Sequence, residues 1–166
     1  MRAETIIAEK YGPLPDAPAP VAAYVPVTQS GRIVWCSGQL PVRNGEKPYV
    51  GRLGAEVSAQ DGYAAAQLCA LNLLAQLKKH LGDLDRITRI LDARIYVAST
   101  PEFTQQPQVA NGLSDLLVEV FGEQGKHARC AFGVASLPMN LPVEAELTVE
   151  VAPDCPGAGS SRHNHR

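Results

Sequence analysis

The chain has 166 residues, of which 45% are hydrophobic, so it can bury the core of one domain without disulfide bonds or structural metal ions. Its 15 basic and 17 acidic residues give a net charge of −2, which excludes a strong overall attraction to nucleic acid. No apolar stretch reaches the roughly 20 residues of a membrane span, and the first residues lack the apolar core of a signal peptide. We therefore expect a cytoplasmic protein with neither nucleic acid nor a membrane as its partner.

The segment that follows the N-terminal prolines is predicted to form a β-hairpin. Ala22–Thr28 and Arg32–Cys36 are rich in β-forming residues, and Gln29-Ser30-Gly31 between them is a turn signal. A third short strand is predicted over Ser37–Pro41. The polar, glycine-containing stretch Arg43–Gly54 is predicted to be a loop.

A long helix is predicted to begin near Ser58, because Ser58-Ala59-Gln60-Asp61 has the form of a capping box. Apolar residues then recur at helical spacing, at Ala65, Leu68, Cys69, Leu73, Leu77 and Leu81. Gly82 supplies the stop after a basic last turn. The run Ile87–Ala98 alternates in part and predicts a strand with one covered face.

A helix and two strands are predicted for the last part of the domain. Phe103–Phe121 carries an apolar stripe at helical spacing, and Pro107 either starts or interrupts this helix. His127–Ala135 and Pro142–Val151 are predicted strands. The second of them alternates glutamates with apolar residues, which predicts one apolar and one acidic sheet face.

The predicted element order is ββ(β)αβαββ. Because the strands are grouped and do not alternate regularly with helices, the order favours an α+β fold with two helices packed on one face of a mixed β-sheet. We interpret residues 1–20 as an N-terminal arm outside the core, because its prolines remove backbone donors and favour extended neighbours. Residues 21–152 form a single domain in this interpretation, and residues 153–166 form a flexible polar tail.

The cysteines and histidines indicate neither a metal site nor a catalytic triad. The cysteines are Cys36, Cys69, Cys130 and Cys155. They form no CxxC pair, so we expect reduced, mostly buried thiols. His163 and His165 lie in the tail without further fixed ligands, and His80 and His127 have no serine or cysteine partner at a recognisable spacing. We expect no metal ion and no other cofactor.

Three segments carry motifs in a recognisable order. Val34–Pro41 reads VWCSGQLP, His127–Arg129 reads HAR, and Leu137-Pro138 is followed by Val143–Glu146, which reads VEAE. Together they resemble the Rid family, also called YjgF, with its apolar-SGQ-apolar-P strand end, its PAR and its LP…VEIE. The resemblance covers roughly Pro20–Val151 and implies a chorismate-mutase-like fold.

The resemblance implies a deaminase that hydrolyses the imine or enamine of 2-aminoacrylate-type acids to a 2-keto acid and ammonia. Arg129 takes the position of the arginine that binds the substrate carboxylate, a task that suits the two parallel donors of a permanently charged guanidinium. Glu144, on the strand expected to lie beside that of Arg129, is the candidate acid/base that activates water. Glu144 is equally consistent with one solvated member of an acidic strand face.

Four further residues are implied in substrate binding. Tyr24 matches an aromatic residue that covers the ligand, Ser37 and Gly38 place small groups near it, and Asn111 resembles an asparagine of the second helix. Tyr24 is as consistent with ordinary packing, and Asn111 with an ordinary helix surface. The family's GPYS is here Ala22-Ala23-Tyr24-Val25. The resemblance also implies a homotrimer with sites between subunits.

Three functions stay open from the sequence. The first is the deaminase, and the second is a non-catalytic trimer that binds a carboxylate ligand through Arg129. The third is a ribonuclease, because Val109–Gly122 looks like a divergent subgroup often labelled endoribonuclease L-PSP-like, although the charge balance argues against RNA binding. Cys130 is not a candidate nucleophile, because strand alternation turns it away from Arg129.

Overall fold

The structure, a computed structural model, describes residues 2–19 and 23–153. Its helices and strands are α1 Arg2–Tyr11, β1 Val27–Ser30, β2 Ile33–Gln39, α2 Ala59–Leu81, β3 Ile87–Ala98, α3 Gln106–Phe121, β4 Ala128–Val134 and β5 Val143–Val151. Cys155 and the histidine pair of the predicted tail lie outside the described residues.

The five strands form one mixed sheet in the order β1-β2-β5-β3-β4. Neighbouring strands are antiparallel except β3 and β4, which are parallel. In β5 every second residue from Val143 to Val151 is buried, and these residues share one core with the apolar sides of α2 and α3. The prediction of an α+β fold with the two helices on one face of a mixed sheet is therefore confirmed.

The strands β1 and β2 form the predicted hairpin, and Gly31 in its turn has a φ of 57°, which glycine adopts without steric cost. The prediction of a separate third strand over Ser37–Pro41 is wrong. The strand β2 continues to Gln39, with a bulge after Cys36 in its pairing with β5. A bulge keeps the two strands paired while it changes the direction of the backbone, and only the pairing with β5 fixes its position.

The ends of α2 and α3 follow from their sequences. Ser58 caps α2, because its Oγ accepts a hydrogen bond from the Asp61 N–H at 3.1 Å. Gly82 ends the helix at a φ of 82°. In α3, Pro107 stands in the first turn, where its missing N–H leaves no hydrogen bond unmade, so it starts the helix and does not interrupt it.

The helix α1 is an element that the sequence analysis did not predict. Its Ala3 and Ile7 are buried in the core, although residues 1–20 were interpreted as an arm outside it. The Asp85 carboxylate accepts hydrogen bonds from the backbone N–H groups of Arg2 and Ala3, at 2.5 and 2.9 Å. A helix of 10 residues is marginal by itself, so this packing and capping stabilise it, and the later prolines do not prevent it.

The helices α2 and α3 are in close contact at Gly112. A Cβ atom at Gly112 would lie 2.0 Å from the backbone oxygen of Tyr63, and backbone atoms cannot move aside without displacing a helix. At Gly62 the corresponding Cβ would meet only side-chain atoms of Leu53 and Val109. A residue without a side chain at 112 therefore sets the distance between the helices that carry the core and, on α3, the candidate site residue Asn111.

We expect Gly112→Ala to lower the free energy of unfolding by about 3 kcal/mol, because it overpacks a backbone contact. A decrease in the free energy of unfolding would indicate the close contact, since Gly→Ala in a helix interior normally raises stability by up to about 1 kcal/mol. Urea unfolding followed by circular dichroism measures the change. Gly62→Ala is the matched control and should lower stability less, and equal stability of the two variants would contradict the close approach.

Candidate functional site

Arg129 lies on β4, and its guanidinium is held by the helix α3. Its Nη1 donates hydrogen bonds to Asn111 Oδ1 at 2.8 Å and to Ser114 Oγ at 3.1 Å. Asn111 and Ser114 are three residues apart on the helix, so both face the strand. The structure therefore brings together two of the residues that the resemblance implied, and it adds Ser114 to them.

His127 contacts Ser114, a serine partner that no recognisable spacing in the sequence indicated. Ser114 Oγ lies 3.0 Å from His127 Nε2, and His127 Nδ1 lies 2.6 Å from the backbone oxygen of Gly125. The pair was missed because a serine 13 residues earlier in the sequence matches no motif. The helical spacing from Asn111 was the one signal that could have indicated Ser114.

Glu144 is the second predicted functional residue, and it lies against the backbone of Gly38. A Cβ atom at Gly38 would lie 2.3 Å from Glu144 Oε1, so the glycine lets the carboxylate take this position directly against the backbone. Glu144 is half-buried, and burial raises the pKa of its carboxyl, with a smaller contribution from the negative charge of Glu146. A carboxyl with a raised pKa can accept and return a proton near neutral pH more readily than an exposed glutamate.

Tyr24 and Gly38 line a common cavity of about 210 Å³, together with Gln76 of α2 and Met139. The side chain of Tyr24 is 49% exposed, so it is not a core residue. Met139 has a φ of 58°, a left-handed conformation that costs energy for a residue with a side chain and that is frequent at ligand sites. Ser37 lies beside Gly38, and its Oγ is buried without a hydrogen-bond partner among the described residues.

The side chains of Arg129 and Glu144 lie on opposite faces of the sheet. The expectation that Glu144 and Arg129 stand on neighbouring strands is wrong, because β3 lies between β4 and β5. In the sheet register, Arg129 pairs with Ala93 of β3, and Ala93 pairs with Leu147 of β5. Paired residues point to the same face of the sheet, and Ala93 and Leu147 are buried on the helix side, so Arg129 points to that side as well. Glu144 is out of phase with Leu147 and faces the other side. With neighbouring strands about 4.8 Å apart, the two strands are separated by about 10 Å.

The sheet face that carries Glu144 also carries aromatic residues. Trp35 and Phe132 are 45% and 46% exposed, and the rings of Tyr96 and Phe132 meet edge to face with centroids 5.3 Å apart. The Tyr96 hydroxyl donates to Glu146 Oε1 at 2.9 Å. This face is thus partly apolar although no helix within residues 2–19 and 23–153 covers it, and we name it the open face.

The described cysteines are free thiols. Cys36 and Cys69 are buried, and burial raises the pKa of Cys36 to about 12 and that of Cys69 well above its usual range, so both stay protonated. Cys130 is exposed and follows Arg129 directly on β4, so the two side chains leave opposite faces as expected. Among residues 2–19 and 23–153, no group of three or more His, Cys, Asp or Glu side chains could hold a metal ion.

The mixed sheet with two long helices on one face defines an α+β fold of the YjgF or chorismate-mutase-like class. The chain belongs to the family described as "YjgF/chorismate_mutase-like, putative endoribonuclease", whose sequence profile matches residues 5–150. That range includes every strand except the last residue of β5, together with α2 and α3. Within the part of the chain that the structure describes, no helix is long and apolar enough to cross a membrane.

Three proteins show how far the similarity extends. Protein TCP17 of Trypanosoma cruzi is 47% identical over 139 residues, which are 83% of this chain and 87% of TCP17. The crystal structure of Atu1372 from Agrobacterium tumefaciens, described as a protein of unknown function, is 43% identical with a TM-score of 0.84, and the match covers 90% of this chain and 92% of Atu1372. A Shewanella oneidensis protein described as a "putative endoribonuclease" is 33% identical with a TM-score of 0.87, over 91% of this chain and all of that protein.

Proposed function

We propose that this protein is an imine/enamine deaminase that hydrolyses small 2-imino acids to 2-keto acids and ammonia. The observation that carries the proposal is the guanidinium of Arg129, which Asn111 and Ser114 hold through Nη1 while its other donors have no partner among the described residues. A fixed guanidinium with free donors is suited to a small carboxylate. The half-buried Glu144 with its raised pKa supplies the acid/base.

The proposed reaction needs one carboxylate anchor and one group that moves protons. Arg129 holds the carboxylate of the 2-imino acid, and ionised Glu144 takes a proton from the water that attacks the C=N carbon and passes it to the imine nitrogen, which gives a neutral carbinolamine. Glu144 then takes the proton of the carbinolamine hydroxyl and delivers it to the nitrogen, so the C–N bond breaks, ammonia leaves and the C–O group becomes the carbonyl of the 2-keto acid. The net reaction consumes one water, releases one ammonia and leaves Glu144 ionised for the next turnover.

The separation of Arg129 and Glu144 supports sites that are built from two chains. A substrate of a few carbon atoms cannot contact both faces of one sheet, so the proposed site combines Arg129 of one subunit with Glu144 of another. The partly apolar open face, with Trp35 and Phe132, is a suitable surface to bury between subunits. We place both residues in a homotrimer, the closed assembly that the family resemblance implies. The free thiols of the described cysteines fit a cytoplasmic location.

The direct test generates 2-aminoacrylate or 2-iminobutyrate in situ with a threonine dehydratase and traps the intermediate with semicarbazide. The expected result is that this protein accelerates the formation of the 2-keto acid and lowers the yield of semicarbazone. The dehydratase alone and the dehydratase with an unrelated protein of equal concentration are the controls. If the folded oligomer does not accelerate the formation of the 2-keto acid, the proposed deaminase activity is contradicted.

A non-catalytic binding protein is the second candidate, because the same fixed guanidinium would hold a carboxylate without turning it over. Binding of 2-oxobutanoate with no acceleration in the semicarbazide assay would favour it. The third candidate is the ribonuclease that the family description names. The charge balance stands against it, and incubation with a single-stranded RNA should leave the RNA intact.

The pH profile of the deaminase should depend on Glu146. Its negative charge helps to raise the pKa of Glu144, so Glu146→Gln should lower that pKa while the amide oxygen still accepts from Tyr96. Because ionised Glu144 starts the reaction, the rate falls as the pH drops through its pKa, and the variant should therefore stay active to lower pH. The measurement is kcat/KM across acidic and neutral buffers. Glu150→Gln, near the other end of β5, is the control. If kcat/KM of Glu146→Gln falls at the same pH as in the unaltered protein, Glu146 does not raise the pKa of the catalytic carboxyl.

A further inference from the structure

A series of three hydrogen bonds runs from the backbone oxygen of Gly125 through His127 and Ser114 to Arg129. Each bond in this series fixes which atom donates and which accepts in the next. A carbonyl oxygen can only accept, so His127 Nδ1, at 2.6 Å from it, carries a hydrogen. In the neutral ring Nε2 then has a lone pair and accepts from the hydroxyl of Ser114, at 3.0 Å. The lone pairs of Ser114 Oγ are turned toward Arg129, whose Nη1 donates to it at 3.1 Å.

The starting point of this series is fixed by packing. Gly125 is buried, and a Cβ atom there would lie 2.2 Å from the backbone oxygen of Leu117, so its backbone sits directly against α3. Ser114 lies on the same helix, less than one turn before Leu117. The hydroxyl of Ser114 on α3 and the carbonyl of Gly125, in the turn packed against the same helix, therefore hold His127 from two sides.

The series decides which donors of Arg129 remain for a ligand. Nη1 has two hydrogens, and Asn111 and Ser114 take one each. The Nε–H and the adjacent hydrogen of Nη2 then form the remaining edge with two parallel donors, which matches the two oxygens of a carboxylate. A ligand with a single oxygen cannot use both donors in one plane.

We propose that Ser114 and His127 are positioning residues that turn the Nε/Nη2 edge of Arg129 toward the carboxylate of the substrate. This inference rests on the proposed function, because it specifies how the same arginine selects its ligand. The two residues act through Arg129 and contact neither the C=N carbon nor the attacking water. Their loss should weaken substrate binding and leave the proton transfer at Glu144 intact.

The test is a double-mutant cycle with 2-iminobutyrate as substrate and 2-oxobutanoate as binding probe. Ser114→Ala should raise KM and the dissociation constant of 2-oxobutanoate about tenfold with little change in kcat, since one hydrogen bond to a charged group is lost. His127→Leu should raise KM less, because Ser114 can still accept from Arg129. The double variant should resemble Ser114→Ala, because the histidine acts only through the serine. His127→Gln places an amide oxygen near the position of Nε2 and should restore much of the binding.

Val118→Ala, at an exposed position of α3, is the matched control and should leave KM unchanged. Thermal unfolding of each variant separates lost positioning from lost folding. Additive KM effects of Ser114→Ala and His127→Leu, or an unchanged KM in Ser114→Ala while Arg129→Ala loses binding, would overturn the inference alone. If Arg129→Ala also binds 2-oxobutanoate normally, the proposed function itself is wrong.

Discussion

Arg129→Ala should lower kcat/KM for 2-iminobutyrate by roughly 10²- to 10³-fold, because each hydrogen bond to a charged group contributes about 1.5–3 kcal/mol. The loss combines the two donors that face the carboxylate with the positive charge itself. Arg129→Lys should recover only a small part, since an ammonium group cannot bond to Asn111, Ser114 and a carboxylate in one plane. Steady-state kinetics in the semicarbazide assay and calorimetric titration with 2-oxobutanoate measure both effects.

The control for this prediction is Arg89→Ala, which removes an exposed arginine from the neighbouring strand β3 and should leave kcat/KM unchanged. Size-exclusion chromatography with light scattering should give the same oligomer for both variants and the unaltered protein. If Arg129→Ala keeps its activity, or if it only loses the oligomer, then this arginine is not the carboxylate anchor.

Glu144→Gln should lower kcat by roughly 10²- to 10⁴-fold and leave the binding of 2-oxobutanoate nearly unchanged. The amide has the shape of the carboxylate, so it fills the same space against Gly38, but it cannot take a proton from water. Because the pKa of Glu144 is raised by burial, the neutral amide should also be tolerated by the fold. Thermal unfolding and the two assays on one preparation separate these effects.

Glu150→Gln is the matched control, because Glu150 lies on the same face of β5 and pairs with Arg32 at a distance of 3.4 Å. It should keep full activity. Weaker binding of 2-oxobutanoate by Glu144→Gln together with an unchanged kcat would contradict an acid/base role and favour the solvated carboxylate that the sequence left open.

The two variants together test whether the site is shared between subunits. When Arg129→Ala and Glu144→Gln subunits are unfolded, mixed in equal amounts and refolded, a trimer with shared sites should recover about a quarter of the unaltered activity, since each mixed ring contains one site with both residues. Each variant refolded alone should stay inactive. No recovery in a mixed trimer would show that both residues serve the same chain and would contradict the arrangement proposed from their separation.

The sequence predicted an element boundary reliably where the residues that cause it lie within one short segment. Ser58 with Asp61 placed the start of α2, Gly82 placed its end, and Gly31 marked the hairpin turn. The alternation in β5 correctly predicted which of its residues are buried, and the glutamates and Thr148 between them are partly exposed. The helix α1 was missed because the nearby prolines were given more weight than the spacing of Ala3 and Ile7, whose burial depends on residues more than 80 positions away.

Local patterns in the sequence were enough to indicate the class of fold and to single out Arg129 and Glu144 as candidates, because helix caps, turns and motifs act over a few neighbouring positions. Three relations became visible only in the folded chain: β3 separates the strands of Arg129 and Glu144, Ser114 lies within hydrogen-bond distance of His127, and Glu144 lies against Gly38. These relations depend on which strands become neighbours and on which face of a helix meets the sheet. Both are set by the packing of the whole core, which no local pattern records.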